Sequence, residues 1–473
     1  MSILSPSIPA LPDVTGASIS STVLWRLIAL IVGLTGLFVL RGWLLSLSLS
    51  ALCEILSVYS AGALFMTIRM TGAWSPSSIY LLVFGVFHFG LTLVVGIGLL
   101  SPEVEALVSL WFYRQETKEA IFLASLGAVS CSIGIHLAHL LGSRFSPTRV
   151  PETDGNHRYA RALSLVGGIL VIISVGAWFF AVVASGGPSL LVSSYVEYLD
   201  ATESSSSVIA FIWFGMGLGL SFLAASEPSR WRLISFSAFV CFALVALPLG
   251  LRGEVLFPSF AGAVIMAKRT KPPSTKLAIA GGLMLLFVIP LLKDVRQEGI
   301  ANASGVSGNP LDGLTELGQS LRPTAEVVYW HELGDRFQGG ATYWAPFQRP
   351  FCRVQPSLSC IPADRDERLT GTLVLNRVGP IGFSPIAEAF LNFGQAGVVL
   401  IMCLIGLLLG RMDLWQPTRL RCAALGVILV ELLINVRNSF AATPSHIIMG
   451  IVLLFTVAFL ARAIEPRTVS LHA

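Results

Sequence analysis

The stretch VALPLGLRGEVLFPSF, Val245 to Phe260, sets Arg252 and Glu254 in the middle of a long apolar run, with no other charged residue between Arg232 and Lys268. What that pair is doing depends on the solvent around it, and the rest of the chain identifies the solvent. Of 473 residues, 54% are hydrophobic and 12% are charged, where a soluble domain carries about 25% charged residues. The mean hydropathy is +0.77, and apolar runs of membrane-spanning length recur along the chain. In hydrocarbon every backbone donor and acceptor has to be paired within the protein. Uninterrupted apolar runs therefore predict helices, since barrel strands would alternate over about ten residues. The fold class is an all-α polytopic membrane protein.

About twelve spans are expected, near 22–40, 43–66, 78–100, 119–142, 161–184, 207–225, 232–250, 253–267, 277–293, 386–410, 419–435 and 445–463. The eighth starts directly after Arg252 and is short, so a tilted or broken helix is expected there. With the N-terminus inside, 16 Lys and Arg fall in the inside connections and 5 in the short outside ones. The excess of basic residues marks the cytoplasmic side, which places both termini there. The chain then divides into an N-terminal tail (1–21), nine spans (22–293), a large outside loop (294–385), three spans (386–464) and a C-terminal tail (465–473). The first 21 residues contain no Lys or Arg, so they lack the basic start of a signal peptide and read as a disordered tail. Residues 203–207, ESSSS, read as a solvated outside loop. Gly215–Gly219 and Gly406–Gly410 have the spacing of close helix contacts.

The charged residues at the outer ends of the spans form the candidate site. An ionisable residue inside the membrane is a functional hypothesis by default, although Arg252 and Glu254 could also be an interfacial pair with snorkelling side chains. An arginine at a broken helix end suits an anion such as phosphate. Prolines at 248 and 258 loosen both neighbouring helices. Arg296 lies just beyond the ninth span. ELGQSLRPTAEVVYWHELGDRF supplies Arg322, Glu326 and His331, which could equally lie on an amphipathic surface helix with ordinary ion pairs. Glu388 and Asn392 lie four apart and share a helix face. Glu388, one turn inside a span, needs a partner such as Arg252 or Arg437, and Arg437 ends the eleventh span. Arginines with a carboxylate or a histidine suit departure of a pyrophosphate with a general base at work.

Other motifs carry less. DRD, Asp364 to Asp366, has the form of a metal-binding DxD, but in a charged run outside the membrane it reads as a solvated face. His136 and His139 without further ligands read as packing or interface residues, and His88 as a satisfied intrahelical histidine. No phosphate-binding glycine loop, dinucleotide fingerprint or nucleophile elbow is present. No metal, cofactor or nucleic-acid partner is expected. Five cysteines at or near spans (Cys53, Cys131, Cys241, Cys403, Cys422) read as small buried hydrophobes.

Beyond these readings, the chain resembles the O-antigen polysaccharide polymerases of the Wzy type. The resemblance rests on LGLRGEVLFP, on ELGQSLRPTAEVV followed by GGATYWAPF, and on IAEAFLNFGQAGVVL, in that order over roughly residues 160–460. It implies an architecture like that of the GT-C-type polymerases and ligases, with the large loop on the periplasmic face of the bacterial inner membrane. It implies an enzyme that joins oligosaccharide repeat units carried on undecaprenyl pyrophosphate, one as donor and one as acceptor. Arg252, Arg296, Arg322 and Arg437, with Glu254 and Asn392, would bind substrate. The base would be His331, Glu326 or Glu388. Membrane lipid and a chain-length regulator protein are the other expected partners. An O-antigen ligase would share this logic. A secondary transporter would also fit twelve spans, but it should show matched broken helices in two halves.

Two outcomes are expected from the sequence alone. Cysteines introduced at Ser229 and Pro273 should react only from the cytoplasm and those at Ser205 and Gly308 only from outside; labelling of all four from one side would refute the orientation. Cys352 and Cys360 have seven residues between them, Pro356 included, in an oxidising compartment, so they should form a disulfide. Full alkylation of both in the unreduced protein would show that the bridge does not exist.

Overall fold

The computed structural model describes residues 17–142, 156–270, 272, 274, 309–354, 361–363 and 365–463. They are helical throughout, with no strand among them. In order the helices are α1 (Ala17–Ser46), α2 (Leu49–Thr71), α3 (Pro76–Gly96), α4 (Pro102–Phe112), α5 (Gln115–Gly142), α6 (Asn156–Gly186), α7 (Tyr195–Thr202), α8 (Ser206–Ala225), α9 (Arg230–Ala246) and α10 (Arg252–Arg269). After the ninth expected span, which lies outside the described residues, come α11 (Pro310–Gly318), α12 (Arg322–Glu332), α13 (Ala341–Val354), α14 (Thr370–Arg377), α15 (Pro385–Asp413), α16 (Arg419–Asn435) and α17 (Thr443–Ala463). Their starts are written locally. Ser75–Pro76, Ser101–Pro102, Asn309–Pro310 and Ser384–Pro385 put a capping residue before a proline whose missing N–H costs a first turn nothing.

Eight helices among the described residues are long and apolar enough to cross a membrane: α1, α2, α3, α5, α6, the α7–α8 unit, α15 and α17. Helices also form at the expected spans of α9, α10 and α16, but α9 and α16 have 17 residues each, and α10 carries four charges in 18. Two local expectations change. Residues 203–207 are helical rather than loop, because Ser194 and Glu197 form a reciprocal cap that starts α7 and a 3-10 turn then leads into α8. Asp366 is buried under Arg349 and Arg368, at 3.3 and 2.8 Å, rather than solvated, and the Arg368 hydrogen bond holds its carboxyl below the usual range. Asp364 lies outside the described residues. Of the five cysteines, Cys241 is exposed and Cys403 half-buried.

Helix packing relies on glycine, as expected where lipid offers no hydrophobic drive for association. A Cβ built on Gly406 of α15 would lie 2.0 Å from the Cys131 carbonyl oxygen of α5, and one on Gly134 of α5 would lie 2.1 Å from that of Cys403. The Gly215–Gly219 motif of α8 meets α6, where a Cβ on Gly219 would lie 2.8 Å from the Gly167 carbonyl oxygen. A second apolar core gathers around Trp178, Tyr198 and Phe242, all essentially unexposed. At one end of the bundle, Asp413 accepts from the Ser77 hydroxyl, faces His139 at 3.5 Å, and gives its carbonyl to Lys268 at 2.7 Å. His139 thus sits at an interface, while His88 and His136 each bond the carbonyl four residues back.

Gly406→Leu should overpack the α5–α15 seam by at least about 1–3 kcal/mol. In detergent it should lower the thermal transition and the yield of monodisperse protein. Gly36→Leu on α1, where nothing lies within 4 Å, should behave like the parent; equal behaviour of the two would show that the seam is not tightly packed.

Candidate functional site

At the opposite end of the bundle from Asp413, a cavity of about 190 Å3 is lined by Arg252, Arg322, Arg437 and Glu316, with Tyr195, Gln319, Ser320 and the Pro380–Ile381 strap. Each arginine arrives by a different route. Arg252 is the first residue of α10, reached through a turn whose Gly250 has φ +87°, a conformation that a side chain disfavours. Arg252 is 4% exposed, and its Nη1 lies 3.0 Å from Glu316 of α11. Arg322 is the first residue of α12 and is half-buried. Arg437 follows α16 and is exposed; its carbonyl accepts the Phe383 N–H at 3.0 Å, which pins the strap against it.

Among the described residues, three guanidiniums and one carboxylate line this cavity, at the positive end of α10. Such a lining favours an anion able to take several charge-assisted bonds. Glu316 is the lining residue that sequence reasoning did not assign a role. It stands in the ELGQSL motif, but nothing in its spacing reveals that it reaches α10. Arg437 is the cation that faces Glu254.

The three candidate bases are separated. Glu326 is 6% exposed, with Oε1 at 3.3 Å from Arg322 Nε and Oε2 at 3.6 Å from Arg114 Nη1. His331, at the far end of α12, takes its place in a second cavity of about 350 Å3. Its Nδ1 lies 2.8 Å from the Asp335 carbonyl, and its ring packs on Phe337 and Phe390. Neither Glu326 nor Glu388 lines either cavity, but Glu326 is paired to the lining residue Arg322, whereas Glu388 is not. Its expected arginine partner is replaced by the Phe440 N–H at 2.8 Å, and Asn392 holds the Gly340 N–H and the Thr342 hydroxyl. α15 breaks at Gly394, φ +66° and ψ −154°. Glu388 and Asn392 therefore sit on a short leading piece, where they anchor the 338–342 and 440 segments. Arg296 and Cys360 lie outside the described residues, while Cys352 is disulfide-bonded. No group of three or more metal-ligating side chains occurs among the described residues.

The family model described as O-antigen polysaccharide polymerase Wzy matches residues 21–464. Protein CapE of Staphylococcus aureus is 25% identical over 376 residues, covering 78% of this chain and 81% of that protein. No solved structure matches. A match over nearly the whole chain, joined to a bundle of apolar helices, makes this a multi-pass bacterial membrane protein that belongs to the Wzy family of O-antigen polysaccharide polymerases.

Proposed function

We propose that the protein transfers a glycan from undecaprenyl pyrophosphate to the terminal hydroxyl of a second lipid-linked repeat unit, at the periplasmic face of the inner membrane, through twelve spans with both termini cytoplasmic. The convergence of Arg252, Arg322 and Arg437 on one cavity carries the reading. A pyrophosphate gains negative charge as the glycosyl bond breaks, so guanidinium bonds to it tighten toward the transition state and lower the barrier. The disulfide at Cys352 steadies the loop.

Glu326 is the base. A base must lie within hydrogen-bond reach of the attacking hydroxyl, which in turn lies beside the carbon bonded to phosphate. Glu326 is one helical turn from Arg322 and is ion-paired to it. A bound pyrophosphate competes for Arg322 and leaves the carboxylate oxygen free to take the proton. His331 stands nine residues from Arg322, about 13 Å along the axis at 1.5 Å per residue, which is too far to serve the same bond.

Arg252→Lys keeps the charge and loses the planar fork of donors. It should lower polymerisation by about 10²–10³, read as loss of the glycan ladder at unchanged protein level; a full ladder at normal expression would reduce Arg252 to a packing role. Glu326→Gln should cut turnover by about 10²–10⁴ while binding of inorganic pyrophosphate to the purified protein is kept. Retention of parental turnover would remove Glu326 from the mechanism.

A further inference from the structure

The 350 Å3 cavity at the far end of α12 differs in chemistry from the arginine cavity. It lies between α1, α5, α12 and α15 and is lined by Arg41, Glu119, His331, Glu332, Phe390 and Gln395, among others. Arg41 Nη2 lies 3.0 Å from Glu119 Oε2, and Gln395 Nε2 donates to Glu119 Oε1 at 2.8 Å. The guanidinium is therefore already neutralised. Glu332 adds a second carboxylate, so among the described residues one guanidinium and two carboxylates line this cavity, whereas three guanidiniums and one carboxylate line the first, with Arg322 also paired to Glu326 outside the lining. Phosphate is disfavoured here. A neutral, hydroxyl-rich ligand is favoured, because each hydroxyl can donate to a carboxylate and accept from a guanidinium or amide.

Two further features fit a sugar. Phe390 supplies an apolar face, and the buried His331 Nε2 and Arg41 Nε have no hydrogen-bond partner among the described residues, so a small shift of the lining would bring them within reach of a ligand. The break at Gly394 immediately precedes Gln395 and separates it from the leading piece of α15.

We propose that this cavity is a subsite for a neutral sugar of the lipid-linked glycan, remote from the bond being made. The inference rests on the polymerase reading above and deepens it. One helix carries both sites: Arg322 at its start lines the anion cavity and His331 near its end lines this one. The roughly 13 Å between them is the reach of a short oligosaccharide rather than of one sugar. Binding energy gained at such a distance helps hold the reacting sugar in place. It also makes the enzyme sensitive to the identity and length of the repeat unit.

The test uses the full-length protein in detergent and two probes. One is inorganic pyrophosphate. The other is the free oligosaccharide released by mild acid from lipid-linked units that accumulate in cells lacking this protein. Glu119→Gln and Gln395→Leu should each weaken oligosaccharide binding at least tenfold and leave pyrophosphate binding unchanged; Arg252→Lys should do the reverse. Oligosaccharide binding equal to the parent in both cavity variants, at parental thermal stability, would overturn the subsite. Loss of it through Arg252→Lys alone would also overturn it, by placing the sugar in the arginine cavity. A full ladder from Arg252→Lys beside a Glu119-sensitive oligosaccharide site would instead defeat the pyrophosphate reading. With the lipid-linked unit as donor and the free oligosaccharide as acceptor, a raised KM for the oligosaccharide assigns the subsite to the acceptor. A raised KM for the lipid-linked unit assigns it to the donor.

Discussion

The ion pair between Arg252 and Glu316 is the constraint on which the site is built. An arginine at the start of an apolar helix, 4% exposed, is costly unless a carboxylate meets it. Glu316 reaches it from α11, which lies almost backbone to backbone on α3. A Cβ on Gly90 would fall 2.3 Å from the Leu314 carbonyl oxygen, and one on Gly318 would fall 2.0 Å from the Leu91 nitrogen. Once α11 is fixed there, the 3-10 turn at Gln319–Leu321 directs the chain into α12. The position of α12 then sets both cavities, one at each end.

The linings of the two cavities differ in charge. Where guanidiniums outnumber carboxylates, an anion pays less to leave water, because charge-assisted bonds replace its hydration. Where Arg41, Glu119 and Gln395 already satisfy one another, an added charge would find no such compensation, and a hydroxylated surface fits better. A single enzyme acting on a charged lipid carrier and a polyhydroxylated chain needs both environments, kept far enough apart that neither neutralises the other.

The leading piece of α15 shows how a buried polar pair can serve architecture. Glu388 and Asn392 satisfy backbone N–H groups of Phe440 and Gly340. Those groups would otherwise be left unpaired where the chain turns back at the cavity end of the bundle. Their position follows from the turns at Gly340 and Phe440 that they hold, and they line neither cavity.

Composition and periodicity alone determined the membrane class, the helical content and most helix positions. The physical reason is that hydrocarbon forces the backbone to satisfy itself locally, and helix starts such as Ser75–Pro76 are local signals. The arginines were also legible, since Arg252, Arg322 and Arg437 each stand out against an apolar background. Their meeting was decided only by tertiary structure, because they come from three segments joined by nothing local. The same holds for Glu316 as the partner of Arg252, and for Arg41, Glu119 and Gln395, whose residues look like ordinary outer-end charges and amides until α1, α5 and α15 are packed. The surroundings of Glu388 were likewise decided by the fold. Its i, i+4 spacing with Asn392 is written in the sequence, but its hydrogen bond from the Phe440 N–H joins residues 52 apart.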